Sequence, residues 1–266
     1  MNTIKLLNGQ DYEKEPLLTK MYNDEFYYGE LNTLALSSSA LKLLLDSPKK
    51  YYGITKYGGN KESQPMRDGR LLHTLILEPE KFKDIHFVDV VSKNTKAYKE
   101  AVEEYGIVYT AKEKQDAERI ADAVLRNEKS LELLGDAEFE VPAIGYVQGM
   151  PFRGKADILG ANIICDIKTT TDIKAFPYSA KKYGYDVQAY LYCELFDKHF
   201  LEFVFLVVDK GSLDIGEYRI SEEFYEAGKE KVTRAIATYK EYIEGKDWNG
   251  TEISEGLDNY YIKGEL

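Results

Sequence analysis

The chain has 266 residues, a formal net charge of −11, and 44% hydrophobic and 30% charged residues. This composition is ordinary for a globular protein with a buried core. Because there is no run of about 18 apolar residues, we expect no transmembrane helix and no membrane partner. The acidic balance argues against non-specific nucleic-acid binding, which needs clustered basic residues. Two basic clusters nevertheless occur, one between Lys42 and Arg70 and one at Lys174, Lys181 and Lys182.

The cysteines and the N-terminus bear on the cellular compartment. Cys165 and Cys193 are too few for a disulfide framework or a four-thiolate cluster, and their apolar surroundings predict buried thiols. The N-terminus lacks the basic and then apolar layout of a signal peptide. We therefore expect an intracellular, cytoplasmic protein.

The first half of the chain is predicted to be mainly helical. Residues 1–36 are rich in tyrosine and show no clear period, and the serines at 37–39 predict the N-cap of a short helix. The segment 51–65 has the composition of a loop. Apolar residues at helical spacing predict a helix over 66–77 and mostly helix over 95–134.

The second half mixes strands and helices. Strands are predicted at about 138–147, 151–159 and 163–168, close enough in sequence to form an antiparallel meander. The remaining elements are a helix from Ser179 to Phe196 whose core stripe includes Tyr183, an apolar central strand over 202–209 and a helix over 221–244. The tail from Lys246 is assigned no structure. This order predicts an α/β domain with helical additions.

The predicted hairpin over 153–170 contains an electrostatic anomaly. With a two-residue loop at its tip, Asp157 lies opposite Asp166 and Lys155 lies opposite Lys168. Like charges directly opposite each other cost up to about 1 kcal/mol. A bound divalent cation would reverse the sign of the interaction between the two carboxylates. A slip of one residue in the register would instead move one carboxylate to the other face.

Asp157, Asp166 and Lys168 match a two-carboxylate cation site with an adjacent helper. Mg²⁺ and Mn²⁺ prefer such oxygen ligands. Lys168 could orient an attacking water or stabilise charge on a phosphoryl group. The alternative is a surface hairpin with solvated charges, because the D-x-K pattern is short and common.

Other polar residues have an ordinary structural interpretation. His73 has apolar neighbours on a predicted helix, which favours a satisfied core histidine. Gln188 and Tyr192 are four residues apart and form a polar ridge on a helix. Ser38 and Ser39 belong to the helix-capping run, but the N-terminus of a helix can also contact a phosphate.

Several segments occur in the order found in one family. They are SSSALKLLLDSPKKYY, GRLLHTLILEPEKF, FRGKADIL, ICDIKTT and QAYLY, and together they span about residues 37–192. The chain resembles the exonuclease VIII (RecE-type) branch of the PD-(D/E)xK nucleases, which is related to lambda exonuclease. Each motif alone is weak, but their joint order and spacing are specific.

The resemblance implies a fold and a set of site residues. The fold is a restriction-endonuclease-like α/β core, a mixed sheet with an antiparallel meander flanked by helices, with helical N-terminal additions. The implied metal ligands are His73, Asp157, Asp166 and the Ile167 carbonyl, with Lys168, Asp157 and Asp166 as catalytic residues. The expected substrate-binding residues are Gln188, Tyr192, Ser38, Ser39, Arg153 and Lys155. The acidic residue that precedes the core strands is either Glu138 or Glu140.

The resemblance also implies an activity. It is a Mg²⁺-dependent exodeoxyribonuclease, with Mn²⁺ as a possible substitute, that degrades double-stranded DNA ends from 5′ to 3′ and leaves 3′ single strands for homologous recombination. A ring-shaped homo-oligomer, a single-strand annealing protein as partner, and a bacterial or phage origin in the host cytoplasm are also implied. The alternatives are an endonuclease or 3′ exonuclease on the same core, or an inactive DNA-binding scaffold.

The domain organisation is predicted to be a single nuclease domain over 1–266. It comprises an N-terminal helical and loop extension for DNA binding over 1–65 and a catalytic core over 66–210. A C-terminal helix and tail cover 211–266.

Overall fold

The computed structural model describes residues 2–58, 62–245, 257 and 260–263, in which a largely helical first half precedes the main sheet. The strands are β1 (Thr3–Lys5), β2 (Asp11–Glu13), β3 (His86–Val88), β4 (Val108–Thr110), β5 (Glu138–Val147), β6 (Met150–Gly160), β7 (Ile163–Thr170), β8 (Phe203–Asp209) and β9 (Ile215–Arg219). The helices are α1 (Lys14–Met21), α2 (Asp24–Tyr28), α3 (Leu31–Leu34), α4 (Ser38–Asp46), α5 (Pro48–Tyr57), α6 (Gln64–Leu77), α7 (Pro79–Phe82), α8 (Lys96–Tyr105), α9 (Ala111–Arg126), α10 (Glu128–Leu134), α11 (Phe176–Lys182), α12 (Tyr185–Phe196) and α13 (Glu222–Tyr242), with a short 3-10 helix at Phe200–Glu202.

The central sheet has the strand order β5-β6-β7-β8-β9. Strands β5, β6 and β7 form the predicted antiparallel meander, and β7 runs parallel to β8, with α11 and α12 in the connection between them. Strand β9, which was not predicted, adds antiparallel to β8 at the edge. The mixed α/β architecture with helical N-terminal additions is as predicted.

Two tight turns set the registers of the meander. Gln148 and Gly149 have φ values of 49° and 79°, as a type I′ turn requires, and Val147 pairs with Met150. At the next turn Gly160 pairs with Ile163, which confirms the predicted register of the second hairpin. The paired residues of that hairpin end at Ile158 and Cys165.

Helices cover both faces of the sheet. Phe152 and Phe205 pack in a cluster with α4, α12 and α13, while Ile158 and Leu206 pack on the other face with α6 and α9. All seven residues of β8 are buried, which confirms a central strand covered on both faces. Cys165 and Cys193 are buried free thiols, as predicted.

Two element predictions were wrong. The predicted loop over 51–65 begins within a helix, α5, because Ser47 caps it, Pro48 occupies its first turn and the side chains of Tyr51 and Tyr52 are buried. The predicted helix from Ser179 to Phe196 is two helices, α11 and α12. Gly184 separates them with φ 64°, and Tyr183 is consequently 56% exposed instead of lying in the core.

The N-terminal residues, for which no period was found, pack against the edge of the sheet. Strands β1 and β2 and helices α1 to α3 bury a small apolar cluster that includes Ile144. Backbone hydrogen bonds from Leu36 to Pro151 and from Arg153 to Leu36 join this segment to β6. None of the helices in the described ranges combines the length and apolar character that a membrane span requires. Most of the tail from Lys246 lies outside the described residues.

Candidate metal and catalytic site

Strands β6 and β7 separate beyond their last pair, Ile158 and Cys165, so Asp157 and Asp166 follow that pair without being hydrogen-bonded partners. Oδ2 of Asp157 instead accepts a hydrogen bond of 2.8 Å from the backbone N–H of Ile167. The prediction that Asp157 and Asp166 would directly oppose each other is corrected in this respect, because the ladder ends one residue earlier.

His73, on α6, reaches the fork, the point beyond Ile158 and Cys165 at which strands β6 and β7 separate. Its Nε2 lies 3.0 Å from the carbonyl oxygen of Ile167, and its Nδ1 lies 3.4 Å from Oδ2 of Asp157. Because a carbonyl oxygen only accepts, Nε2 carries the proton in this arrangement. The imidazole is therefore in contact with two of the other predicted ligands and is not an isolated core histidine.

Glu140 completes a cluster of ligand atoms. One atom each from His73, Glu140 and Asp157 lies within 4.8 Å of the others. The pairs of β5 with β6 on either side place Glu140 across from Asp157, and Glu140 has φ 51°, a strained value for a residue other than glycine. Glu138 is exposed, so of the two acidic residues left open by the sequence, Glu140 is the one in contact with the fork.

Asp166 lies outside this cluster and has its own partners. The side chain is 1% exposed, Oδ1 accepts a 2.5 Å hydrogen bond from Nε2 of Gln188 on α12, and Oδ2 pairs with the Lys168 ammonium. The same ammonium lies 5.0 Å from the ring centroid of Tyr185. These contacts join the end of β7 to the start of α12.

Burial and neighbouring charges shift the pKa values of the ionisable groups in the site. Burial raises the pKa of Asp157, and Asp166 adds to the rise while His73 opposes it. Burial and then Asp157 raise the pKa of Glu140. Burial alone would lower the pKa of Lys168, but the Asp166 and Asp157 carboxylates outweigh it and the pKa is raised. Without a bound cation, the site would favour the Lys168 ammonium and disfavour the simultaneous ionisation of Asp157 and Glu140.

These residues fit a hard divalent cation. The donors are carboxylate oxygens, a backbone carbonyl and one imidazole nitrogen, a set compatible with Mg²⁺ or Mn²⁺. The raised pKa values of Glu140 and Asp157 reflect a cost that a nearby cation would relieve.

Two residues expected to bind substrate, Arg153 and Lys155, are buried beneath the N-terminal segment. They are 4% and 7% exposed. Arg153 donates a 2.7 Å hydrogen bond to Asn32, Lys155 pairs with Asp24 at 2.8 Å, and both cationic groups lie against the Tyr27 ring. Their head groups are thus already partnered by this chain.

The other predicted residues are divided between the site and the surface. Tyr192 is 9% exposed and its ring packs over Gly154. Ser38 is half-buried and Ser39 is exposed in the first turn of α4, while Ser37 caps that helix. The expected phosphate contact of the two serines stays a prediction.

Tyr185 was not predicted from the sequence, and the choice between Glu138 and Glu140 was left open. A type I′ turn at Gln148-Gly149 would have placed Glu140 opposite Asp157, so the signal for Glu140 was available in the turn. Tyr185 on α12 contacts Lys168 on β7, and no local sequence pattern predicts a contact between these two elements.

A mixed sheet with an antiparallel meander, an acidic fork and an adjacent lysine is the core of the PD-(D/E)xK nuclease superfamily. The chain belongs to the family described as "PDDEXK-like domain of unknown function (DUF3799)", whose model matches residues 37–258. No match to a curated protein was significant.

Solved structures include similar chains. A "Putative exonuclease" from Eubacterium rectale superposes with a TM-score of 0.63 at 15% identity, covering 92% of this chain and 95% of that one. A "phage related exonuclease" from Haemophilus somnus 129PT gives a TM-score of 0.37 at 16% identity, covering 79% of this chain and 95% of that one. The first likeness shows the fold, and the second is too low to carry an argument.

Proposed function

We propose that the protein is a metal-dependent exodeoxyribonuclease that hydrolyses phosphodiester bonds from double-stranded DNA ends. The observation that carries this proposal is the fork at Asp157, where His73, Glu140 and the Ile167 backbone converge beside the Asp166–Lys168 pair. A carboxylate cluster with an adjacent ammonium suits phosphoryl chemistry, in which charge must be stabilised on non-bridging oxygens.

His73, Asp157, the Ile167 carbonyl and Asp166 would hold Mg²⁺, with Mn²⁺ as a substitute, and Glu140 joins them as a candidate ligand. When bound, such a cation supplies positive charge to a phosphate and to the leaving oxygen. The Ile167 amide keeps the Asp157 carboxylate in place, and Gln188 does the same for Asp166. Positioned groups of this kind lower the cost of ordering at the moment of reaction.

Lys168 acts through its positive charge. Its raised pKa favours the ammonium, which can donate to a phosphoryl oxygen or hold an attacking water, over a role as a general base. The ring of Tyr185 and the Asp166 carboxylate limit the positions open to this group.

The finer features of the proposal come from the family resemblance. They are 5′ to 3′ polarity, 3′ single strands for homologous recombination, a ring-shaped homo-oligomer with an annealing partner, and action in the host cytoplasm. Within the chain, residues 66–210 would form the catalytic core, residues 1–65 an extension that binds DNA, and 211–266 a C-terminal helix and tail. The exonuclease description of the Eubacterium rectale neighbour supports attack at ends.

The test compares end-labelled linear duplex with closed circular DNA in Mg²⁺, in Mn²⁺ and in EDTA. We expect metal-dependent loss of the linear duplex from its 5′ ends, and loss of this activity in Asp157→Asn. Asp122→Asn, at an exposed position on α9, is the matched control. Cleavage of closed circles would identify an endonuclease, and release from 3′ ends would reverse the polarity. Equal inactivity of the wild type and Asp157→Asn on every substrate would leave the scaffold alternative.

A further inference from the structure

Lys42 on α4 is a half-buried lysine without a carboxylate partner in the described ranges. Three other lysines with limited exposure in the same ranges each meet a carboxylate within 2.8 Å. These are Lys93, Lys155 and Lys231. A half-buried charge without a counter-ion is unfavourable, so the position of Lys42 is unusual for a purely structural residue.

Two ammonium groups share the ring of Tyr185. The Nζ atoms of Lys42 and Lys168 lie 5.1 Å and 5.0 Å from its centroid. Burial lowers the pKa of Lys42 to about 8, and the charge of Lys168 adds to this effect. The charge of Lys168 is already matched by the Asp166 carboxylate, so Lys42 is the member of this pair that has no ion-pair partner in the described ranges.

The turn between α11 and α12 brings an exposed ring next to this pair. The rings of Tyr183 and Tyr185 are 6.1 Å apart, and the stem of Lys42 crosses Gly184 between them, 3.6 Å from where a Cβ would lie. Tyr183 is 56% exposed and Lys182 lies 5.7 Å from its ring centroid. Aromatic and basic groups alternate outward from Lys168 to the surface.

We propose that Lys42, Tyr185 and Tyr183 form a subsite for one nucleotide of a single DNA strand, next to the site of hydrolysis. Lys42 pairs with the backbone phosphate of that nucleotide, Tyr183 stacks on its base, and Tyr185 holds the two lysines apart. The assignment of this strand as DNA beside a scissile phosphate rests on the proposed function.

The occupant is a single strand because the two contacts differ in what they need. A phosphate is present in any nucleic acid, but an open aromatic face stacks only on a base that is not enclosed in a duplex. The exposed lysines at 181 and 182, which directly precede Tyr183 in the chain, add positive charge beside it.

The experiment measures binding of a fluorescent oligothymidylate and of a blunt duplex, with Ca²⁺ replacing Mg²⁺ and the oligonucleotide checked for integrity. The variants are Lys42→Met, Lys42→Gln and Tyr183→Ala. Lys112→Met and Tyr105→Ala are matched controls at exposed positions on other helices. Melting temperatures verify folding, and wild-type cleavage of linear duplex is measured in parallel.

We expect Tyr183→Ala to weaken single-strand binding roughly 5- to 100-fold, as loss of one stacked base does. Both Lys42 variants should lower the slope of log affinity against log salt by about 0.7, as loss of one phosphate contact does. Variants that bind the single strand within two-fold of the controls would overturn the subsite. If the wild type then cleaves DNA, the proposed function stands without it. Loss of binding in the variants of a wild type that cleaves nothing would keep the subsite and reject the nuclease.

Discussion

Asp157 accepts a hydrogen bond from the backbone amide of Ile167 at 2.8 Å, immediately beyond the last paired residues of β6 and β7. The carbonyl of the same Ile167 lies 3.0 Å from Nε2 of His73. The N–H and the C=O of Ile167, which lie beyond the pairing with β6, are thus both satisfied by side chains of the candidate site. The fork is held by the protein's own hydrogen bonds, so the charge of Asp157 and its position can be separated by substitution.

Asp157→Asn should remove metal binding without unfolding the protein. The amide oxygen of asparagine can still accept from Ile167, while the substitution removes a negative charge beside Glu140 and Asp166. We expect the melting temperature in EDTA to stay equal or rise by a few degrees. The increase caused by Mg²⁺ should disappear, because stabilisation by a ligand requires its binding to the native state.

Differential scanning fluorimetry in EDTA and across a Mg²⁺ series makes this measurement. Asp122→Asn, which removes an exposed carboxylate paired with Arg126, is the control and should respond to Mg²⁺ like the wild type. A full Mg²⁺ response in Asp157→Asn would show that this carboxylate is not a ligand.

Lys168→Met should reduce cleavage while metal binding persists. The ammonium is next to Asp166 and Tyr185, and a protonated amine has no lone pair with which to bind a cation. Loss of one group that stabilises transition-state charge typically costs about 10²- to 10³-fold in rate. Single-turnover cleavage of linear duplex measures the rate, and the Mg²⁺-dependent melting temperature reports binding.

Lys112→Met replaces an exposed lysine on α9 and serves as the control for loss of one positive charge. The proposed role of Lys168 fails if its methionine variant cleaves within a few-fold of this control.

The metal-free protein should lose stability as the pH rises across the neutral range. The pKa of Glu140 is raised to about 8 from an ordinary value of 4.5, first by burial and then by Asp157. Between these values the folded state holds a proton that the unfolded chain has released, so the free energy of unfolding falls with increasing pH. Asp157, whose pKa is raised to about 6 by burial, contributes in the lower part of this window.

Urea unfolding in EDTA at a series of pH values tests this dependence. Glu140→Gln should make the slope shallower, whereas Glu138→Gln, an exposed position two residues away, should leave it unchanged. Saturating Mg²⁺ should also flatten the slope, because a cation favours the ionised carboxylates. Equal slopes for the wild type and Glu140→Gln would contradict the assignment.

Asp24→Asn should destabilise the contact between the N-terminal segment and β6. Asp24 is half-exposed, but its partner Lys155 has a side chain only 6% exposed, so the substitution leaves a buried ammonium without its nearest carboxylate. We expect a loss of about 1–2 kcal/mol in the free energy of unfolding. Asp46→Asn, at an exposed pair with Lys50, should lose less than about 0.5 kcal/mol. An equal loss in both variants would show that the Asp24–Lys155 pair is no stronger than a surface ion pair.

Local patterns in the sequence predicted the features that depend on neighbours in the chain. The two-residue tip of the hairpin set the pairing of Gly160 with Ile163, and the apolar run over 202–209 predicted a strand buried on both faces. Turn length and side-chain alternation decide such features, and both are present in a few consecutive residues. The helix break at Gly184 was missed because the apolar spacing continued across it.

Contacts between distant elements were decided only by the tertiary structure. The N-terminal segment covers Arg153 and Lys155, α6 brings His73 to the fork, and α4 places Lys42 beside Lys168. These contacts depend on how helices pack on the two faces of the sheet. The apolar period of a helix indicates which of its faces is buried, but not which residues that face contacts. The sequence by itself therefore determined the meander and the candidate residues on it, while packing decided which charges are paired and which remain open to a ligand.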